Sequence, residues 1–146
     1  MGKLYDEKSI ESLSPLEFTR LRPGVYVGST EYSTQLLLEI VSNAVDEFKA
    51  GHGNKIIVTI KNDNTIIVED NGQGFIPNAK RDDGKTVLEA SVSVLNTSGK
   101  YSDDGVYEGT ALGLNGIGSM LTTYLSHWLE VITHRDGKYA HLRFTE

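Results

Sequence analysis

Apolar residues recur at helical spacing through one long stretch: Leu37, Val41, Ala44 and Phe48 fall three or four apart, and Ile40 and Val45 widen the stripe. Residues 33–49 are therefore predicted to form an amphipathic helix, ended by Gly51-His52-Gly53. Two β-branched runs, 56–60 and 65–69, are joined by Lys61-Asn62-Asp63-Asn64 and read as an antiparallel hairpin. Runs 129–133 and 138–144 make a second hairpin, turned by Arg135-Asp136-Gly137. A short helix is expected from Pro15, with Ser14 as N-cap, Glu17 completing a capping box and Pro23 forcing a stop. Beyond it, Arg22 to Gly28 reads as an extended, glycine-bracketed loop. Further helices are predicted over 87–95 and after Gly118. Helices with antiparallel strand pairs on one chain predict an α+β fold, a two-layer α/β sandwich. Residues 1–14 are polar and read as an arm, leaving 15–146 as the folded domain.

Composition narrows the function. The chain has 146 residues, 38% of them hydrophobic and only 3 prolines, enough for one domain with a buried core. A net charge of −6 supplies no basic field for a nucleic-acid backbone or an anionic membrane, so any DNA must be gripped by other parts. Cysteine is absent and the four histidines are scattered, which excludes a disulfide framework and a thiolate zinc site and suits a reducing, cytoplasmic setting. The opening residues resemble no secretory signal, and no aliphatic stretch approaches a membrane span, so no membrane partner is expected.

Three constellations could carry chemistry. On the long helix, Glu39, Asn43, Asp46 and Glu47 share one side. They form either a solvated polar face or an acidic stripe that wants a cation, where Asn43 offers the neutral oxygen that Mg²⁺ accepts and Glu39 a base for water. Asp70, in Glu69-Asp70-Asn71-Gly72-Gln73-Gly74, stands at a strand end beside two glycines. It is either part of a simple turn or an acceptor for an exocyclic amine such as that of adenine. From Gly99 to Gly118 lie six of the 15 glycines, with Lys100, Tyr101 and Tyr107 among them. Such a segment, leading into a helix N-terminus, suits phosphate binding and a movable lid as well as a merely flexible loop. Two standard nucleotide motifs fail: Ala79 stands where a phosphate loop ending at Gly84-Lys85-Thr86 needs glycine, and Leu121 replaces the third glycine of a dinucleotide fingerprint.

The order helix Glu-x-x-x-Asn, strand then Asp-x-Gly-x-Gly, and a closing Gly-x-x-Gly-x-Gly resembles the Bergerat ATP-binding fold of gyrase, Hsp90, histidine kinases and MutL. Tyr5-Asp6 with Ser9-Ile10, and Arg22-Pro23-Gly24-Val25-Tyr26-Val27-Gly28, narrow the resemblance to the ATPase subunits of type IIA DNA topoisomerases. The resemblance implies a mixed, mostly antiparallel sheet with helices on one face, ATP and Mg²⁺ as cofactors, and ATP hydrolysis that drives closure of a dimer gate for DNA strand passage. It makes Glu39 the catalytic base, Asn43 the magnesium ligand and Asp70 the adenine anchor. Asp46 joins the ATP site, with Gly74, Ile76 and Pro77 in the adenine pocket. Lys100, Tyr107, Gly113, Leu114, Asn115, Gly116, Ile117 and Gly118 would hold ribose and phosphates. Tyr5 would reach a partner's nucleotide in a homodimer formed through the arm, with DNA and a cleavage subunit engaged by parts absent here. The transducer and DNA-cleavage parts are expected to lie outside these residues, so the piece alone should hydrolyse ATP poorly. Departures from the pattern include Ser42 for an acid, Gln73 for an arginine, Phe75 as an extra residue before Ile76-Pro77, and Asn115 for a histidine. A MutL-like ATPase and a non-hydrolysing nucleotide-binding module are the rival readings.

Overall fold

The computed structural model describes residues 13–28, 32–94 and 117–146. Its elements run α1 (Pro15–Leu21), α2 (Gly24–Val27), α3 (Tyr32–Lys49), β1 (Ile56–Ile60), β2 (Ile66–Asp70), α4 (Val87–Ser93), α5 (Gly118–Leu125), β3 (Trp128–Arg135) and β4 (Lys138–Thr145). The class is α+β, as the patterning predicts. Among the described residues the strands form two separate two-stranded antiparallel sheets, β1 with β2 and β3 with β4.

Local chemistry explains most boundaries. Ser14 caps α1: its Oγ accepts the Glu17 amide at 3.3 Å, and Glu17 Oε2 accepts the Ser14 amide at 2.9 Å. Thr86 caps α4 in the same way, accepting the Glu89 amide at 3.0 Å. In the β3–β4 turn Asp136 (φ 52) and Gly137 (φ 72) are both left-handed, the geometry that lets two residues match the strand twist. The β1–β2 turn places Asn64 at φ 63, while Asp63 Oδ1 accepts the Thr65 amide at 3.0 Å.

One expectation is corrected. Arg22 to Gly28 is not extended throughout, because Gly24–Val27 closes a helical turn. Pro23 has φ −59, already the helical value, and its carbonyl accepts the amides of Tyr26 and Val27, each at 3.0 Å. The turn brings Tyr26 edge-on to Phe18, with ring centroids 6.3 Å apart.

The core centres on α5. Met120 and Leu121 pack with Leu36 of α3, and Tyr26, Val27, Ile117, Tyr124 and Leu125 close around them. The buried side of α3 is thus led by Leu36 and Ala44, with the predicted Leu37 and Val41 only partly covered. Side-chain hydrogen bonds fix α5 against three neighbours. Thr122 Oγ1 reaches Leu36 O, Thr123 Oγ1 reaches Val92 O, and Arg20 Nε donates to Tyr124 O at 2.8 Å. No helix among the described residues is long and apolar enough to cross a membrane.

Candidate nucleotide site

The polar residues of α3 do not form a uniformly solvated face. Asp46 is buried, and Glu39, Asn43 and Glu47 are half-buried. Residues 39, 43 and 47 are four apart, so they stand in one row along the helix, spanning about 12 Å from the rise per residue.

At one end of the row, the Glu39 carboxylate lies against Gly118, the first residue of α5. Gln35 Nε2, one helical turn earlier, donates to Glu39 Oε1 at 2.8 Å. A Cβ on Gly118 would meet Glu39 Cβ and Cδ at 2.9 Å, which is why glycine stands at this helix start. The Glu39 carboxylate is thus held beside the start of α5. In the middle of the row, Asn43 Nδ2 donates to Ser119 Oγ at 2.8 Å.

At the other end, Glu47 packs its Cβ and Cγ on Gly72, where an added Cβ would be 3.3 and 3.5 Å away. Asp70, the last residue of β2, accepts the Gly72 amide on Oδ1 at 2.8 Å. That bond fixes the carboxylate and leaves Oδ2 for another donor. Glu47 Oε2 is buried with no hydrogen-bond partner among the described residues. Beyond the turn, Gly74 (φ 69) abuts the His134 carbonyl, and Phe75 N–H donates to Thr133 Oγ1 at 2.9 Å. Pro77 is buried, Ile76 is 52% exposed, and Ile117 packs on the core as the N-cap of α5.

The structure thus brings Glu39 to Gly118 and Asn43 to the first turn of α5. It brings Asp70, through Gly72, to Glu47, one helical turn beyond Asn43. Tyr5, Lys100, Tyr107, Gly113, Leu114, Asn115 and Gly116 lie outside the described residues. Sequence reasoning missed three supports. Gln35 was legible as the residue four before Glu39, and Ser119 as the first polar group after Gly118. Thr133 had no signal, because only the tertiary fold places it beside Phe75.

The donor set also bears on a metal. Among the described residues no cluster of three or more His, Cys, Asp or Glu could cage an ion. An amide oxygen near a carboxylate fits Mg²⁺ of the kind that keeps water and phosphate oxygens as its remaining ligands.

Residues 29–145 match the family model described as histidine kinase-, DNA gyrase B- and HSP90-like ATPase. The chain is also 44% identical over 142 residues to the B subunit of DNA topoisomerase 4 from Staphylococcus aureus strain MW2, covering 96% of this chain and 21% of that protein. The same protein from strain NCTC 8325 / PS 47 matches to the same extent. The chain therefore spans about a fifth of the length of the curated relatives it matches.

Proposed function

The chain belongs to the histidine kinase-, DNA gyrase B- and HSP90-like ATPase family, and from that premise we propose that it binds ATP along the α3 row and hydrolyses it as the ATPase part of a type IIA DNA topoisomerase. The observation that carries this reading is the order of groups along one helix face. A fixed acceptor, Asp70, lies at the Glu47 end, and a held carboxylate at a helix N-terminus, Glu39 with Gly118, lies at the other. That order suits a molecule with an exocyclic amine at one end and a phosphate chain at the other.

Asp70 Oδ2 accepts a hydrogen bond from the adenine amine, and its charge repels the carbonyl that guanine presents there. Gly74 keeps the backbone close to the base, beside Pro77 and Ile76, and Asp46 steadies this half of the site. The amides at the start of α5, with Ile117 and Gly118, face the phosphates. Glu39, held by Gln35, orients the attacking water and takes its proton on the carboxylate. Asn43 is the residue that would hold Mg²⁺, which when bound neutralises phosphate charge. Lys100, Tyr107 and residues 113–116 complete the phosphate side, and residues 1–14, with Tyr5, form an arm that reaches a second copy when nucleotide binds. Passage of DNA and docking to the cleavage machinery are tasks of the longer protein, in the cytoplasm.

The test pairs calorimetry with turnover on the full-length protein. Glu39→Ala is expected to leave the affinity for a non-hydrolysable ATP analogue within about threefold and to lower kcat by roughly a hundredfold or more, the range for general acid–base groups. Binding that is lost while hydrolysis per bound ATP stays normal would refute the role of Glu39. A chain that prefers no adenine nucleotide over guanine would refute the site as a whole.

A further inference from the structure

Ser119 follows the glycine that opens α5, and its Oγ accepts a hydrogen bond from Asn43 Nδ2 at 2.8 Å across the α3–α5 contact. A carboxamide has two unlike lobes, an oxygen that accepts and an amino group that donates, and a half-turn of the side chain exchanges them. A hard cation takes the oxygen only. With Nδ2 donating to Ser119 Oγ, Oδ1 is the lobe that does not contact this hydroxyl.

The backbone that carries this hydroxyl is held in place. Thr123 Oγ1 shares its one proton between the Ser119 carbonyl, at 3.0 Å, and Val92 O of α4, while Thr122 Oγ1 shares its proton between Gly118 O, at 3.0 Å, and Leu36 O of α3, at 3.4 Å. The turn of α5 that carries Ser119 is thus fixed to both neighbouring helices before any ligand arrives.

We propose that Ser119 is a positioning residue that sets the orientation of the Asn43 amide and so its ability to serve as an oxygen ligand to the magnesium–nucleotide. This rests on the reading of Asn43 given above. Ser119 itself touches neither metal nor substrate in this role. Its removal therefore weakens the metal-dependent part of nucleotide binding and leaves the metal-independent part in place.

The experiment is calorimetry of a non-hydrolysable ATP analogue with this chain, once with Mg²⁺ and once with EDTA, for wild type, Ser119→Ala, Ser119→Thr, Asn43→Asp and the double variant Asn43→Asp with Ser119→Ala. Ser119→Ala is expected to lower the gain in affinity brought by Mg²⁺ roughly three- to tenfold, the effect of one lost neutral hydrogen bond, with EDTA affinity unchanged. Ser119→Thr keeps a hydroxyl and should restore most of that gain. A carboxylate at position 43 has two equivalent oxygens, so adding Ser119→Ala to Asn43→Asp should change nothing further. Equal losses with Mg²⁺ and with EDTA, or no loss in either, would overturn the proposal, as would a full Ser119→Ala effect in the Asn43→Asp background. If Mg²⁺ brings no gain to the wild type, the reading of Asn43 as metal ligand falls first and this inference with it. A normal gain that ignores Ser119 overturns this inference alone.

Discussion

Asp70 illustrates how one side chain can be fixed for recognition by its own turn. The Gly72 amide occupies Oδ1, so the carboxylate cannot swing freely and the second oxygen is presented in one direction. Asp70→Asn removes the charge and puts an amino group within reach of the base edge. Binding of an ATP analogue is expected to weaken roughly ten- to hundredfold, the range for a hydrogen bond to a charged group, and the preference over GTP to shrink; competitive calorimetry reads both. Gly74 makes a different point at the same scale. It sits at φ 69, and a Cβ there would come within 2.6 Å of the His134 carbonyl and 2.8 Å of Thr133 Oγ1. Because the obstacle is backbone, Gly74→Ala is expected to lose about 1–3 kcal/mol of stability, measured by urea unfolding.

Among the elements, α1 has a pH-sensitive boundary. The Glu17 carboxyl is held below the ordinary carboxylate value, first by the Ser14 hydroxyl and then by the Ser14 amide. A carboxylate whose folded pKa is lowered stabilises the fold above its unfolded pKa and loses that contribution as pH falls through the folded value. The cap is therefore intact at neutral pH and opens in acid, starting below the 4.5 of an unperturbed glutamate. Glu17→Gln should abolish this acid transition, followed by NMR through the Ser14 amide shift. Glu17 is solvated, so salt should weaken the effect. Helix α5 is set differently: its start depends on the absence of a side chain at Gly118 and its body on threonine hydroxyls bonded to α3 and α4.

On the scale of the whole molecule, α5 is both the centre of the core and one wall of the candidate site. Met120 is fully buried against Leu36 and Leu121, two residues from Gly118. Met120→Ala is expected to cost about 2–5 kcal/mol in thermal or urea unfolding, because the cavity forms where three helices meet. Nucleotide affinity should fall along with stability, since the same helix carries Gly118 and Ser119. A variant that loses stability while keeping wild-type affinity would separate the core from the site.

Patterning alone determined α1, α3, α4, α5 and the two hairpins, though not α2, because turn and cap chemistry is local: Ser14 with Glu17, Asp136 with Gly137 and the β-branched runs act within a few residues. The same is true of the acid–amide–acid series at 39, 43 and 47, which helical spacing puts in a row before any tertiary contact forms. Burial was not local. That Asp46 goes inside and that Leu36 outranks Leu37 is set by how α3 packs, while the turn at Gly24–Val27 joins a local cause, Pro23, to the packing of Tyr26 and Val27 on the core. Only tertiary contact brought Ser119 to Asn43 and Thr133 to Phe75, pairs 76 and 58 residues apart. Covalent neighbours set conformation through sterics and short hydrogen bonds, which a sequence displays. The meeting of distant side chains is set by how whole faces exclude water together, and that is decided only when the chain has folded.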